Sequence, residues 1–163
     1  RGVTDKLLEL TAGEENQQAR LKLELDKLAL LSGELTVQLV EQYVQPSPQT
    51  NAFAILEAGL VGDQAKVAQL LDRLIMAGED SNRFLGLLAS QALALAGVLT
   101  GAKVKLSPYQ LGQTRQLAER LGDRQLSRRL GEVVEKLAQL DGKMKQSAPD
   151  EAWLYIRSTL SDI

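Results

Sequence analysis

Four acidic residues are the first candidates for chemistry, because neighbouring carboxylates can bind a metal ion or act as an acid–base pair. They form two adjacent pairs, Glu14 with Glu15 and Glu79 with Asp80. Each pair stands near the predicted start of a helix, where carboxylates usually cap the helix or face the positive end of its dipole. We therefore expect structural roles for these residues and no metal site.

The composition narrows the chemistry further, because the sequence contains no cysteine and no histidine. It excludes disulfides, thiol nucleophiles, the commonest zinc ligands and the usual general base. Residues 97–103 lack the Gly-Lys-Ser or Gly-Lys-Thr sequence of a phosphate-binding loop. Three aromatic residues could stack on bases, although isolated aromatics on amphipathic helices usually pack in a core: Tyr109, Trp153 and Tyr155. We expect no enzyme activity and no cofactor.

Positive charge is concentrated in one segment, from Lys103 to Arg129. Seven basic residues stand there against two acidic ones, a net charge of +5, whereas the remainder carries −7 and the whole chain −2. Such a segment can bind phosphate or an acidic protein surface, although most are solvated helix faces. A helical nucleic-acid-binding domain that uses residues 103–129 is therefore one functional hypothesis.

The elements that must position these residues are helices, since apolar residues recur at helical spacing throughout the chain. The central feature is a helical hairpin over Asn51–Gly78, in which Gly62 ends one helix and Asp63 caps the next. Residues 122–123 repeat this glycine-aspartate pattern, and Asp80 is the expected cap of the helix after the hairpin. The hairpin is too short to bury its faces alone and must pack into a larger helical domain.

Four further helices are predicted after the hairpin, the last of them at the end of the chain. No charged residue occurs from Phe84 to Ala102, so this helix is either the centre of a bundle or a membrane span. We favour the bundle, because the neighbouring amphipathic helices need a core. Ser107 and Pro108 signal the start of the next helix. The helix after that has apolar residues at steps of four and three, which are Leu126, Leu130, Val133, Leu137, Leu140 and Met144.

The two ends of the chain complete the prediction. Pro149 is expected to start the last helix, with Trp153, Ile156 and Leu160 facing inward. In the helix predicted over residues 14–31, ended by Ser32-Gly33, the inward residues are Leu21, Leu25 and Leu28. Thr36 should cap a short helix that follows it. Prolines 46 and 48 favour extended backbone in the residues before them, so we place a domain boundary there.

The order of these segments resembles the C-terminal part of the delta subunit of bacterial DNA polymerase III, a clamp-loader component. The resemblance covers roughly residues 14–160, and its order and spacing are fairly specific. Unlike the family's central helix, residues 86–102 carry no basic residue after Gln91. The matching motifs are ELDKLAL (Glu24–Leu30), Leu35–Val44 with Pro46-Ser47-Pro48, NAFAILEA (Asn51–Ala58), Gly62-Asp63, LLDRL (Leu70–Leu74), FLGLLASQ (Phe84–Gln91), Pro108-Tyr109 and LDGKMK (Leu140–Lys145).

The resemblance implies an all-α fold in which a small helical lid segment precedes a helical bundle, the collar. It assigns residues 1–45 to the lid of an ATPase-like module, 46–50 to a proline-rich linker and 51–163 to the collar. In this family the collar joins the loader subunits into a ring, and an N-terminal domain opens the sliding clamp. Because the chain begins with Arg1 and not with Met, we expect it to be a fragment without that domain.

The implied function is assembly of the replicative clamp loader, without catalysis by this chain. The expected partners are the ATPase subunits and delta-prime, with DNA contacted indirectly in the complex and the sliding clamp only through the missing domain. We expect a cytoplasmic location and no membrane contact. The candidate interface residues are Arg115, Arg128 and Arg129, because their helices carry too many charges for a core. An enzyme with a carboxylate-only site is a distant alternative.

Overall fold

The computed structural model describes residues 2–14, 16–31, 33–104, 106, 108–145 and 151–162. Within these residues the chain forms nine α-helices and no β-strand, which confirms the all-α prediction. The helices are α1 (Gly2–Leu10), α2 (Gln17–Ala29), α3 (Val37–Tyr43), α4 (Pro48–Val61), α5 (Gln64–Met76), α6 (Ser81–Leu99), α7 (Pro108–Leu121), α8 (Asp123–Met144) and α9 (Ala152–Ser161).

Helices α4 to α9 form a bundle around one hydrophobic core. The six apolar residues predicted to face inward on α8 are all buried, as are Ile156 and Leu160 of α9. Trp153 is partly buried, and its ring stacks on Phe84 of α6 with a centroid distance of 5.5 Å. Burial of this continuous apolar surface is the main force that holds the bundle together.

Helix α6 is the only helix, among the residues described, that is long and apolar enough to cross a membrane. It contacts α4, α7, α8 and α9, as a bundle helix does. However, only 33% of its apolar window is buried. Leu88 and Leu95 lie in the core, whereas Leu93 is 59% exposed. The expectation of a buried central helix is therefore met except along an exposed stripe that includes Gly86, Ser90 and Leu93.

Helices α1 to α3 surround a second, smaller cluster. Here the prediction for α2 is partly wrong, because Glu24 is buried while Leu25 is 47% exposed. The helix is rotated so that Glu24 and Leu28 face its neighbours. Glu24 tolerates burial because its carboxylate pairs with Arg20 Nε at 2.8 Å and with Lys27 Nζ at 2.5 Å.

Hydrogen bonds join the small helical unit to the start of α4. Ser47 caps α4, since its Oγ accepts the Thr50 N–H at 3.0 Å. The same hydroxyl donates to Ala12 O at 2.7 Å, Ser47 N donates to Leu10 O at 2.7 Å, and Thr50 Oγ1 donates to Glu9 O at 3.0 Å. The chain after α1 is thereby tied to the first turn of α4, and residues 48–50, expected as linker, are helical.

Three predicted helix caps are confirmed, at Thr36, Asp63 and Asp80. Each side chain accepts a hydrogen bond from the backbone N–H three residues further on, at 3.3, 3.0 and 2.7 Å. Gly62 adopts the left-handed conformation with φ of 79°, which ends α4 and allows the sharp turn into α5. The local sequence signals of the hairpin are therefore correct.

The prediction of a capping role for Asp123 is wrong. Gly122 has φ of 79° and is the only residue between α7 and α8, so Asp123 is already the first residue of α8. A cap must precede the helix, and no side chain caps α8. The predicted signals at Ser32, Ser107 and Pro149 lie outside the described residues.

Candidate assembly surface

The three arginines predicted at an interface lie in different environments. Arg115 is exposed on α7, and no described residue forms an ion pair with it. Arg128 is exposed on α8, with 74% of its side chain accessible. Its Nε lies 3.8 Å from Glu132 Oε1, which is a long and solvated ion pair of little energetic weight. Both guanidinium groups are therefore available to a partner.

Arg129 differs from its neighbour because it is partly buried and bonded within the chain. One of its terminal nitrogens donates to the Leu60 carbonyl at 2.6 Å. Leu60 lies in the last turn of α4, where carbonyl groups have no partner within the helix. This contact ties α8 to the end of α4. The proposed interface role of Arg129 stays a prediction.

A shallow cleft of about 910 Å³ opens at the turn between α7 and α8. The turn is sharp because a single glycine connects the two helices, which brings their ends together. Arg124 and Arg128 stand one helical turn apart on α8 and share this surface. Arg124 was not among the residues predicted from the sequence, although its four-residue spacing from Arg128 was visible there. The cleft is lined by Leu121, Gly122, Asp123, Arg124, Gln125 and Arg128.

A polar cluster connects α1, α3 and the first turn of α7. Lys6 Nζ lies 3.1 Å from Glu9 Oε1 and 3.0 Å from Glu41 Oε1. Burial acts to lower the pKa of Lys6, but the hydrogen bonds to Glu41 and Glu9 outweigh it and raise the pKa above its ordinary value of 10.5. Burial and the charge of Glu9 raise the pKa of Tyr109, against the opposing hydrogen bond from Gln113 at 2.8 Å.

The residues first considered for chemistry do not converge on one site. No group of three or more acidic residues that could hold a metal ion occurs in the described part of the chain. Asp80 caps α6, while Glu79 and Glu14 are partly buried and Glu15 is not among the described residues. Trp153 and Tyr155 pack against the bundle core.

No protein-family model matches the chain, and no curated protein matches its sequence. The structure is similar to that of the DNA clamp loader delta protein YqeN of Bacillus subtilis, with a TM-score of 0.74. The similarity covers 97% of this chain and 48% of that protein, at 16% sequence identity. This chain thus spans about half the length of its structural neighbour. The fold resemblance indicated by the sequence motifs is confirmed: the chain shares the helical fold of part of a clamp loader delta protein.

Proposed function

We propose that this chain is the lid and collar part of a clamp-loader delta subunit and that it acts by protein–protein assembly. The observation that carries the proposal is the fold similarity to a clamp loader delta protein over 97% of the chain. The ordered sequence motifs are independent support, because they depend on residue types and spacing and not on the positions of the helices. In this role the chain catalyses no reaction, and it supports loading of the sliding clamp onto DNA in the cytoplasm.

The division into lid and collar is part of the proposal. Its support is the presence of two hydrophobic clusters, one within α1 to α3 and one within α4 to α9. The boundary then falls between the end of α3 at Tyr43 and the start of α4 at Pro48. We assign residues 1–45 to the lid and 51–163 to the collar, with 46–50 as a structured connection.

The proposed partners are the loader ATPase subunits and delta-prime, bound through the collar. Arg115 and Arg128 are the proposed polar contacts, because both are exposed and neither forms a strong ion pair with a residue that the structure describes. An acidic surface of a neighbouring subunit would complement them. Arg129 is a third candidate, and its bond to Leu60 means that it must be tested separately from the other two.

The test is gel filtration with light scattering, without nucleotide, of this chain mixed with the C-terminal domains of the cognate ATPase and delta-prime subunits. We expect co-elution as a defined hetero-oligomer. If the chain still eluted alone at concentrations well above a micromolar dissociation constant, the assembly role would be refuted.

Charge reversal then tests the surface. Arg115→Glu combined with Arg128→Glu should weaken the complex about tenfold or more. The control is Lys66→Glu combined with Arg73→Glu, which reverses the same number of charges at exposed positions on α5. Equal binding by the two double variants would exclude Arg115 and Arg128 from the interface.

Nucleic-acid binding by residues 103–129 remains the alternative function. The observation that favours it is the shared exposure of Arg124 and Arg128 beside the α7–α8 turn. Fluorescence anisotropy with labelled duplex and single-stranded DNA, at several salt concentrations, separates the two proposals. Tight binding that falls steeply with salt, in a chain that does not associate with loader subunits, would favour the alternative.

A further inference from the structure

Helix α6 carries apolar residues that the bundle core does not bury. No charged residue occurs from Phe84 to Ala102, yet only a third of the apolar window is buried. The exposed positions of this helix include Gly86, Ser90 and Leu93, of which Leu93 is 59% accessible. Leu93 continues into the partly exposed Ala96 and Leu99, and an exposed apolar patch commonly marks a contact with another molecule.

A groove of about 280 Å³ runs between the C-terminal half of α6 and the N-terminal half of α8. Its floor is apolar, because Ala96, Leu99, Leu130 and Val134 contribute to it. Gly131 on its edge is exposed and has no heavy atom within 4 Å of the position that a Cβ would occupy. The small edge residues leave room for a ridge of side chains from a third helix, as in ordinary helix packing.

The charges at the edge of the groove indicate the chemistry of its occupant. Ser127 lines the groove, and Arg124 and Arg128 stand three residues before it and one residue after it on α8. Both arginines are exposed, Arg128 forms only a long and solvated ion pair with Glu132 at 3.8 Å, and α6 contributes no acidic residue. An apolar groove flanked by two arginines near the start of α8 is complementary to an amphipathic helix that carries acidic residues at one end.

We propose that the groove between α6 and α8 binds an amphipathic helix of another clamp-loader subunit, with its apolar side in the groove and its acidic residues against Arg124 and Arg128. The identity of the partner rests on the proposed function. The chemistry of the occupant rests on the groove and its charges alone. This groove, together with the arginine pair, is the specific part of the collar that we assign to assembly.

Two glycines of α8 provide a matched test. Gly131→Gln places a side chain in the groove, whereas Gly142→Gln makes the same change on an exposed part of the same helix outside it. Neither position has a heavy atom within 4 Å of a new Cβ, so both positions have room for the first atom of a side chain. Replacing glycine also favours the helix in both cases. Circular dichroism and thermal melting check that both variants fold.

Binding is measured with two probes. The first is the mixture of C-terminal domains of the ATPase and delta-prime subunits. The second is a labelled synthetic amphipathic peptide with leucines at helical spacing and glutamates in its first turn. Its binding is measured by fluorescence anisotropy. We expect Gly131→Gln to weaken both interactions about tenfold or more, and Gly142→Gln to leave them unchanged. Arg124→Glu should weaken peptide binding, and a peptide with lysines in place of the glutamates should bind the wild type less tightly.

The outcomes separate the two proposals. If both glycine variants bound the subunits equally well, the docking role of the groove would be refuted, while the assembly role of the chain would still hold. Groove-dependent peptide binding without subunit binding would support the groove and refute the assembly role. Two other occupants of the groove would also overturn the inference. A second copy of the chain would form a dimer that Gly131→Gln dissociates. A membrane would be indicated by binding to phosphatidylcholine–phosphatidylglycerol vesicles that Gly131→Gln weakens. If neither the subunit domains nor the peptide bound, the inference would be overturned as well.

Discussion

At the scale of single residues, adjacent side chains of one charge serve different purposes. Arg128 points to solvent, with 74% of its side chain accessible, while Arg129 is partly buried and donates to the Leu60 carbonyl at 2.6 Å. A hydrogen bond from a charged group to a partly buried carbonyl contributes more to folding than a solvated ion pair does. The basic segment is therefore not a uniform surface.

The first prediction compares these two arginines. Arg129→Met should lower the free energy of unfolding by about 1–2 kcal/mol, because the Leu60 carbonyl loses a charged donor. Arg128→Met should change it by less than about 0.5 kcal/mol, because its side chain is largely solvated. Both variants keep a long side chain of good helix propensity. The difference between them in urea denaturation at neutral pH therefore reports the contribution of the hydrogen bond to the free energy of unfolding. Equal midpoints for the two variants would contradict the structural role of Arg129.

A second prediction concerns alkaline pH. The pKa values of Lys6 and Tyr109 are raised in the folded chain above their ordinary values of 10.5 and 10.0, so folding favours the protonated form of both groups. Their contribution to stability is complete below about pH 10 and is lost as the pH rises through the raised pKa values. Stability should thus decline above pH 10.

Urea denaturation between pH 8 and pH 11 checks this expectation. Tyr109→Phe removes one of the titrating groups, so its stability should decline less steeply above pH 10 than that of the wild type. Tyr43→Phe removes a phenol from an exposed position and serves as the control. A decline that is identical in all three proteins would show that Tyr109 contributes nothing to it.

At the scale of helices, the connection between α3 and α4 is a structured junction. Ser47 has 1% of its surface exposed and performs two tasks with one hydroxyl. It accepts from the first turn of α4 and donates to the Ala12 carbonyl just after α1. Because the Thr50 hydroxyl donates to Glu9 O as well, two side chains at the start of α4 bind carbonyl groups at the end of α1 and just after it.

The third prediction tests this double role. Ser47→Ala should lower the free energy of unfolding by about 2–3 kcal/mol, since it removes a helix cap and leaves the Ala12 carbonyl without its donor. Thr36→Ala removes a cap that has no second task and should cost about 1 kcal/mol. If thermal or urea denaturation gave the two variants the same loss, the bond from Ser47 to Ala12 would have no energetic importance.

At the scale of the whole molecule, the two hydrophobic clusters differ in size and hence in local stability. In α8 six apolar residues are buried, whereas in α2 the buried residues are Glu24 and Leu28. Two leucines of α2, Leu23 and Leu25, are exposed, as is its C-cap residue Leu30. Little apolar burial holds α2 in place, so it should open without unfolding of the bundle.

The fourth prediction follows from this difference. Amide hydrogens in the middle of α2 should exchange with solvent more than about a hundredfold faster than those in the middle of α8, after correction for intrinsic rates. Hydrogen-exchange mass spectrometry or NMR at neutral pH measures both helices in one sample. The internal reference is α6, which contacts four other helices and should be protected like α8. Equal protection of α2 and α8 would mean that the chain unfolds as one cooperative unit.

The sequence alone determined the helices after α1, their caps at Thr36, Asp63 and Asp80 and the buried face of α8, and its motifs indicated the fold family. These features depend on residues three or four positions apart, whose spacing is readable without knowing which helices meet. The charge pattern also indicated that the candidate arginines lie outside the core, whereas the partial burial of Arg129 was not readable.

Only the tertiary structure decided which side of each helix is covered. It buried Glu24 in place of Leu25, left Leu93 of α6 in solvent and joined Arg129 to Leu60, sixty-nine positions away in the chain. It also gave Ser47 its second partner, Ala12. Helical periodicity defines an apolar side only within a range of rotation, and the contacts between helices distant in sequence select the final orientation. For that reason the groove between α6 and α8, which carries the proposed docking site, was invisible in the sequence.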